Sequence, residues 1–190
     1  MMNILLIHFV ALLFNYNSEI NVSRSNVVSS IQSDTATIVK KIRADFSVIN
    51  SKLKSFKRKN REVFDMSSER GEVIGYYDKK LLVKAHSVFY GETGRVETDY
   101  YFNKTGLFFE YKKETYYDKP IYVKGFKTKK LEQNRYYFDN NVLIKWIFNK
   151  TVKPQSQIFK EKTVALNEEL KDIKEVLSRK QPQVKKTSQH

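Results

Sequence analysis

The residues that could carry acid–base or nucleophilic chemistry are few, and their spacing fits no catalytic set. The 190 residues include three histidines and no cysteine, which excludes disulfides, thiolate metal sites, iron–sulfur clusters and cysteine nucleophiles. His86 precedes Ser87, but a serine hydrolase also needs a group that orients the base and a nucleophile on a sharp turn. The sequence has no G-x-S-x-G motif. We therefore expect His86 to be an ordinary strand residue.

Carboxylates are the other candidates, because a pair of them can act as general acid and base on a glycosidic bond. Between residues 92 and 114, acidic residues alternate with lysines and aromatic residues: Glu92, Glu97, Asp99, Glu110 and Glu114. Such alternation is typical of the solvated face of a sheet, where opposite charges pair across strands. Walker, dinucleotide-binding and calcium-loop motifs are absent from the sequence. The sequence thus predicts a non-enzymatic protein with no catalytic residue, no metal and no cofactor.

Basic residues exceed acidic ones by 14 charges, which favours anionic partners. The residues that we expect to contact an anion lie in two clusters: Lys57, Arg58, Lys59 and Arg61 in the first, and Lys124, Lys127, Lys129 and Lys130 in the second. The first cluster has an alternative interpretation, in which it neutralises the C-terminal end of a preceding helix. No RNA-binding RNP motif occurs. We therefore favour an anionic envelope component or another protein as partner over nucleic acid.

The elements that position these residues are two helices and a set of strands. Apolar residues recur every three or four positions over 35–56 and again over 156–179, which predicts a helix in each range. Between 62 and 148, aromatic and β-branched residues alternate with polar ones, which predicts antiparallel strands. We expect a single α+β domain over 35–180: an antiparallel β-meander of about six to eight short strands with an N-terminal and a C-terminal helix.

We expect the sheet to be covered on one face, because one side of each predicted strand is polar. The N-terminal helix is expected to pack on it through Ile42, Phe46, Ile49 and Leu53. The sheet residues expected beneath that helix are Tyr100, Phe102, Leu107, Phe109 and Trp146. The segment 117–130, which contains a proline and a glycine, is expected to hold one or two further short strands.

Three similar units recur in the strand region. Each has a Tyr-Tyr pair, a short turn and an apolar run led by leucine, and the pairs lie 24 and 36 residues apart, at 76–77, 100–101 and 136–137. The turns at 78–80, 103–106 and 139–141 contain Asn, Asp or Gly, and Asn and Gly tolerate the positive φ of tight hairpins. Each unit therefore predicts one β-hairpin.

The segments YYFDNNVLIKW and FYGETGRVETDYYF resemble uncharacterised exported bacterial proteins whose hairpins read YYF-x-N-G-x-L. More distantly, they are similar to a variant of the MORN repeat. The resemblance covers about residues 70–150. It implies export and a β-meander, and it implies no catalytic residue.

The N-terminal segment is apolar over 4–14, ILLIHFVALLF. This is shorter than the roughly 20 residues of a transmembrane helix but suits the apolar core of a secretory signal. The alternative is a core strand or helix. We predict a signal over 1–18 with cleavage between 18 and 25, a Ser-rich linker over 19–34, a basic disordered tail over 181–190 and no transmembrane span.

The function predicted from these features is a non-enzymatic scaffold or binding module, exported to the periplasm, the cell envelope or the secreted space. One alternative is a carrier that holds a small apolar ligand between sheet and helix, since the chain has 13 Phe and 12 Tyr. The other is a polyanion-binding protein that uses its basic clusters. The sequence identifies neither the partner nor the oligomeric state.

Overall fold

The computed structural model of the chain describes residues 20–67 and 69–179, with side chains from Asp34 onward. Eight strands form one antiparallel sheet in chain order, with a helix before and a helix after it. This confirms the predicted α+β meander. The elements are α1 (Ile20–Ser51), β1 (Lys57–Val63), β2 (Arg70–Asp78), β3 (Leu81–Gly91), β4 (Gly94–Asn103), β5 (Gly106–Tyr117), β6 (Thr128–Asp139), β7 (Val142–Phe148), β8 (Thr151–Val152) and α2 (Gln157–Ser178), with a short 3-10 helix at Leu53–Ser55.

Contacts divide the chain into two compact units, Met1–Ala36 and Thr37–His190. Of the first unit, the described part is the beginning of α1. The second unit contains the remainder of α1, the whole sheet and α2. The predicted signal over 1–18 and the predicted tail over 181–190 lie outside the described residues.

Three hairpins at one end of the sheet share one construction. They are β2–β3, β4–β5 and β6–β7, each closed by a two-residue turn and each with one extra residue on its second strand: Val83, Phe108 and Ile144. Such bulges strengthen the local twist. Tyr76, Tyr101 and Tyr137 occupy the same position relative to the turn of their hairpins. The first and second units are therefore 25 residues apart, one more than the spacing of the Tyr-Tyr pairs.

The position before each of these tyrosines explains that difference. Units two and three have buried tyrosines there, Tyr100 and Tyr136, whereas the first unit has Gly75. A Cβ on Gly75 would lie 3.1 Å from Cδ2 of Leu177 on α2. The last turn of α2 therefore occupies the space that a tyrosine side chain at position 75 would need.

The two helices lie on opposite faces of the sheet, so the prediction of a sheet covered on one face is wrong. Val39 and Ile42 of α1 pack on one face, in a cluster with Tyr101, Phe108, Phe109 and Tyr137. The other face forms the larger core beneath α2. Its members include Tyr100, Phe102, Leu107, Tyr136, Phe138, Leu166, Leu170 and Ile173, with Trp146 at its margin.

The predicted packing of α1 is correct for Phe109 and wrong for the four other sheet residues. The Phe46 ring lies 5.5 Å from that of Phe109 and 4.9 Å from that of Tyr101. The error has a physical cause: Tyr101 carries a hydroxyl and falls on the same side of the alternation as Glu97 and Asp99, so the sequence pattern assigns it to the polar face. Its ring is nonetheless buried, as are those of Tyr100 and Phe102 on the other face. Aromatic residues at successive positions indicate a strand that is covered on both faces.

Three predicted boundaries also differ from the structure. Helix α1 begins at Ile20, so the expected linker over 19–34 is helical from that residue. Ser is only slightly worse than most residues in a helix, and a helix propagates readily from a packed segment. The sequence KRKNR is in β1 rather than at a helix end. As an edge strand, β1 tolerates lysines and arginines. The third difference is that residues 118–127 contain turns and no strand.

Candidate functional site

The first basic cluster lies on β1, where two of its members bind the end of α2. Lys59 Nζ donates a hydrogen bond to the carbonyl oxygen of Leu177. Arg61 donates from Nε and Nη2 to the carbonyl oxygen of Arg179, at 3.1 and 3.0 Å. The last carbonyl groups of a helix lack partners within the helix and carry its negative dipole end. Lys59 and Arg61 therefore complement the C-terminal end of α2. The alternative interpretation, in which this cluster complements the preceding helix, is wrong.

The second basic cluster lies far from the first, because β6 is five strands away from β1. Lys124, Lys127 and Lys129 are exposed. Lys130 is also exposed, and its Nζ lies 2.7 Å from Oε1 of Glu132. The structure thus does not combine the two clusters into one basic surface.

Sequence reasoning missed an aromatic surface at the end of the sheet where β1–β2, β3–β4 and β5–β6 are joined. We call these three connections, with the strand residues beside them, the loop end. Half of the exposed large apolar side chains of the described residues lie there: Phe64, Tyr90, Tyr116, Tyr122, Val123, Phe126 and Leu131. Tyr122 is the most exposed, at 73%. At the opposite end, only Leu81 and Val142 belong to this exposed set.

The β5–β6 connection of the loop end is an ordered loop. The backbone N–H of Tyr117 donates to the Thr93 carbonyl at 2.8 Å, and that of Ile121 donates to the Glu92 carbonyl at 2.9 Å. These bonds fasten the loop to the β3–β4 turn. Its base is closed by the N–H of Asp118, which donates to the Lys127 carbonyl at 3.0 Å. The exposed Tyr122 and Phe126 therefore lie on a loop that backbone hydrogen bonds hold in place.

A cleft of about 310 Å³ opens beside this loop, on the α2 face of the sheet. Its lining includes Phe89 and Val96, which are register partners on β3 and β4, and the carboxylate of Glu114 on β5. Gly94 has no alternative here, because a Cβ would lie 2.5 Å from the Thr115 carbonyl oxygen. The alternation of residues gave no sign of this cleft, since it forms where α2 ends its cover of the sheet.

Carboxylates lie at the cleft and on the surface beside it. Burial raises the pKa of the Tyr116 hydroxyl, and the nearby carboxylates of Glu114 and Glu132 raise it further. The pKa of Tyr122 is raised by its hydrogen bond to Glu92 and, to a smaller extent, by other causes that include Glu69. Lys130 opposes the pKa shift of Tyr116, so a basic group also lies beside these carboxylates.

Beneath α2, the sheet residues Glu110 and Lys112 meet Glu169 of the helix. Glu110 is fully buried, and neither of its carboxylate oxygens has a hydrogen-bond partner among the described residues. Lys112 Nζ lies 3.7 Å from Glu110 Oε1 and bonds Glu169 on α2. Burial raises the pKa of Glu110 to about 8, although Lys112 opposes the shift. The interpretation of Glu110 as a solvated sheet residue is therefore wrong, since α2 covers it.

The His86 side chain lies on the α1 face, where its Nδ1 is 2.9 Å from Oδ1 of Asp99. Lys84 Nζ is 3.0 Å from the same oxygen. Ser87 points to the opposite face, as its neighbour in the strand must. His86 and Ser87 therefore do not form a catalytic pair.

The described residues contain no group of three His, Asp or Glu side chains that could hold a metal ion. Among the helices that the structure describes, none is long and apolar enough to cross a membrane. No family model, no curated protein and no solved structure matches the chain.

Proposed function

We propose that the protein is a non-enzymatic binding module of the cell envelope or the secreted space, and that it contacts its partner with the loop end. The observation that carries this proposal is the unequal distribution of exposed aromatic residues between the two ends of the sheet. Folded proteins rarely keep large apolar side chains together on the surface unless they bind something. Tyrosine and phenylalanine are also enriched where proteins contact partners.

The ordered loop supports the same proposal. A loop that is already fixed in its bound shape loses little conformational entropy when a partner binds. The backbone bonds from Tyr117 and Ile121 to the β3–β4 turn provide this rigidity. Export is supported by the apolar segment 4–14 and the polar residues after it, which have the pattern of a secretory signal.

The non-enzymatic part of the proposal is supported by the position of the titratable groups. Glu110, whose pKa burial raises to about 8, lies beneath α2 and does not line the loop-end cleft. His86 and Ser87 are on opposite faces. The described lining of the loop-end cleft contains the carboxylates of Glu92 and Glu114 but no histidine.

The experiment that tests the proposal compares two double variants for retention of envelope and extracellular components on the immobilised protein. Tyr122→Ser with Phe126→Ser alters the loop end, and Leu81→Ser with Val142→Ser makes the same kind of change at the opposite end. We expect the first variant to lose its retained partner and the second to keep it. Equal retention by both variants and the unchanged protein would refute the proposal.

A second candidate function is polyanion binding, favoured by the exposure of Lys124, Lys127 and Lys129 beside the aromatic residues. Among the described residues these three lysines form no ion pair. Heparin is a suitable probe, and its binding should weaken steeply with salt. Replacing the three lysines by alanine should abolish this binding, whereas the same change at Lys79, Lys80 and Lys104 should preserve it.

A further inference from the structure

We propose that the loop-end cleft binds an alkylammonium group, such as the head group of choline. This inference rests on the proposed function, because it names the ligand chemistry of the same surface. Three features of the cleft carry it: its shape, its charge and an ammonium group of the chain itself that already occupies the neighbouring surface.

The shape of the cleft suits a small, compact cation. Phe89 and Val96 are apolar lining residues, and Gly91 and Gly94 add no side chain that would fill the space. The exposed ring of Tyr116 also lines the cleft. A volume of about 310 Å³ is at the lower limit for ligand-binding sites and exceeds what a single methylated ammonium head group requires.

The charge of the cleft is negative although the protein is strongly basic. Glu92 and Glu114 line it, and among the described lining residues Arg95 is the basic one. Arg95 shares the carboxylate of Glu97 with Lys113, since Glu97 Oε2 lies 3.3 Å from Arg95 Nε and 2.6 Å from Lys113 Nζ, so these three groups carry one net positive charge. Glu92 and Glu114 add two negative charges, so the balance at the cleft is one negative charge, which attracts cations and repels phosphate.

Next to the cleft, the ammonium group of Lys130 already lies between an aromatic ring and a carboxylate. Lys130 Nζ lies 5.3 Å from the centre of the Tyr116 ring and 2.7 Å from Oε1 of Glu132. An aromatic ring with a carboxylate beside it is the arrangement that attracts organic cations, through the negative face of the ring and the charge. Glu114 stands opposite Glu132 in the pairing of β5 with β6. Glu114 and Tyr116, which belong to the surroundings of the Lys130 ammonium, thus also line the cleft.

The test is a titration of the isotopically labelled full-length protein with choline, followed by NMR at the amides of the cleft. The control ligand is 3,3-dimethylbutanol, which has the shape of choline without its charge. We expect saturable shifts at Gly91, Gly94 and Tyr116 with choline, and affinity at least about tenfold weaker for the neutral compound. Equal binding of both compounds, or no saturable shifts with choline, would overturn the inference.

Two variants locate the binding. Glu114→Gln removes the charge and Tyr116→Leu removes the ring, and each should weaken choline binding about tenfold. Glu161→Gln removes an equal charge from the exposed side of α2 and should leave the affinity unchanged. Because either cleft variant alone is sufficient, misfolding of one leaves the test intact. Unchanged affinity in a folded cleft variant would contradict the inference.

Vesicles distinguish the two sources of the ligand. Binding to phosphatidylcholine vesicles that is lost with Glu114→Gln would identify a lipid head group, and binding of free choline alone would identify a soluble amine. Both outcomes support the alkylammonium site. If choline fails to bind but the loop-end variant still loses its envelope partner, the inference about the ligand fails and the proposed function stands.

Discussion

The hydroxyl of Tyr100 on β4 donates a hydrogen bond of 2.6 Å to Oε1 of Glu169 on α2. Lys112 on β5 bonds the other oxygen of the same carboxylate, so the sheet holds Glu169 from two strands. Glu110 lies beside Lys112 and has no charged partner within hydrogen-bond distance. An ion pair between Lys112 and Glu169 therefore adds to the contacts that hold α2 on the sheet, and the helix covers a carboxyl group that stays largely protonated at neutral pH.

Glu110→Gln is expected to stabilise the protein most in alkaline solution and least in acid below about pH 4.5. Burial raises the pKa of Glu110 to about 8, Glu169 adds to the shift, and Lys112 and Lys162 oppose it. The folded protein thus holds this proton more tightly than the unfolded chain. The resulting stability is complete below the unfolded-state pKa of about 4.5 and is lost as the pH rises to about 8.

Glutamine stays neutral and avoids that loss, which reaches at most about 1.4 kcal/mol for each unit of pKa shift. Urea unfolding at about pH 5.5 and at about pH 9 measures the effect. The unchanged protein should lose stability between these values, and the variant should lose less. Parallel losses in the two proteins would contradict the assignment of the titration to Glu110.

Arg61→Ala is expected to destabilise the end of α2. The guanidinium group donates two hydrogen bonds to the Arg179 carbonyl, so its loss should lower the free energy of unfolding by about 1 kcal/mol. Arg58→Ala is the matched control, because it removes the same charge from the opposite side of β1. Hydrogen exchange in the last turn of α2 should accelerate in the first variant and not in the control.

The sequence was sufficient to predict the meander, since turn residues mark the hairpins independently of what covers the sheet. Asn140 and Asn141 both have positive φ in the structure, as a two-residue turn of this kind requires. α2 was predicted to within a residue at each end, because its apolar stripe is regular. Local patterns of this kind are visible in a single sequence.

The faces of the sheet and the cleft were not predictable in the same way. A tyrosine such as Tyr101 fits a polar or a covered face, and the helix that lies above it decides which one it is. The capping of α2 by Lys59 and Arg61 joins residues that are 118 positions apart. The loop-end cleft depends on where α2 stops covering the sheet, and only the assembled structure shows that.

Ile42→Asp is expected to lower the free energy of unfolding by about 3 kcal/mol or more, because a charge would enter the cluster beneath α1. Ile42 is 4% exposed in that cluster, whereas Val48 on the same helix is 52% exposed. Val48→Asp should therefore change the stability by less than about 0.5 kcal/mol. Thermal and urea unfolding compare the two variants. Similar losses in both would show that α1 contributes through helix propensity and not through the packing of Ile42.

The last prediction concerns export, on which the choice of partners depends. Expression of the full chain in a bacterial host should yield a product outside the cytoplasm, with a mass lower by about 18 to 25 residues, because the apolar segment 4–14 has the length of a signal core. Replacing Leu5 and Leu12 by Asp should interrupt that segment and leave an uncleaved, cytoplasmic product. Replacing Ser29 and Ser30 by Asp, beyond the expected cleavage region, should leave processing unchanged. An intact cytoplasmic product from the unaltered chain would remove the argument for envelope partners, and its charge of +14 would make nucleic acid the next partner to test.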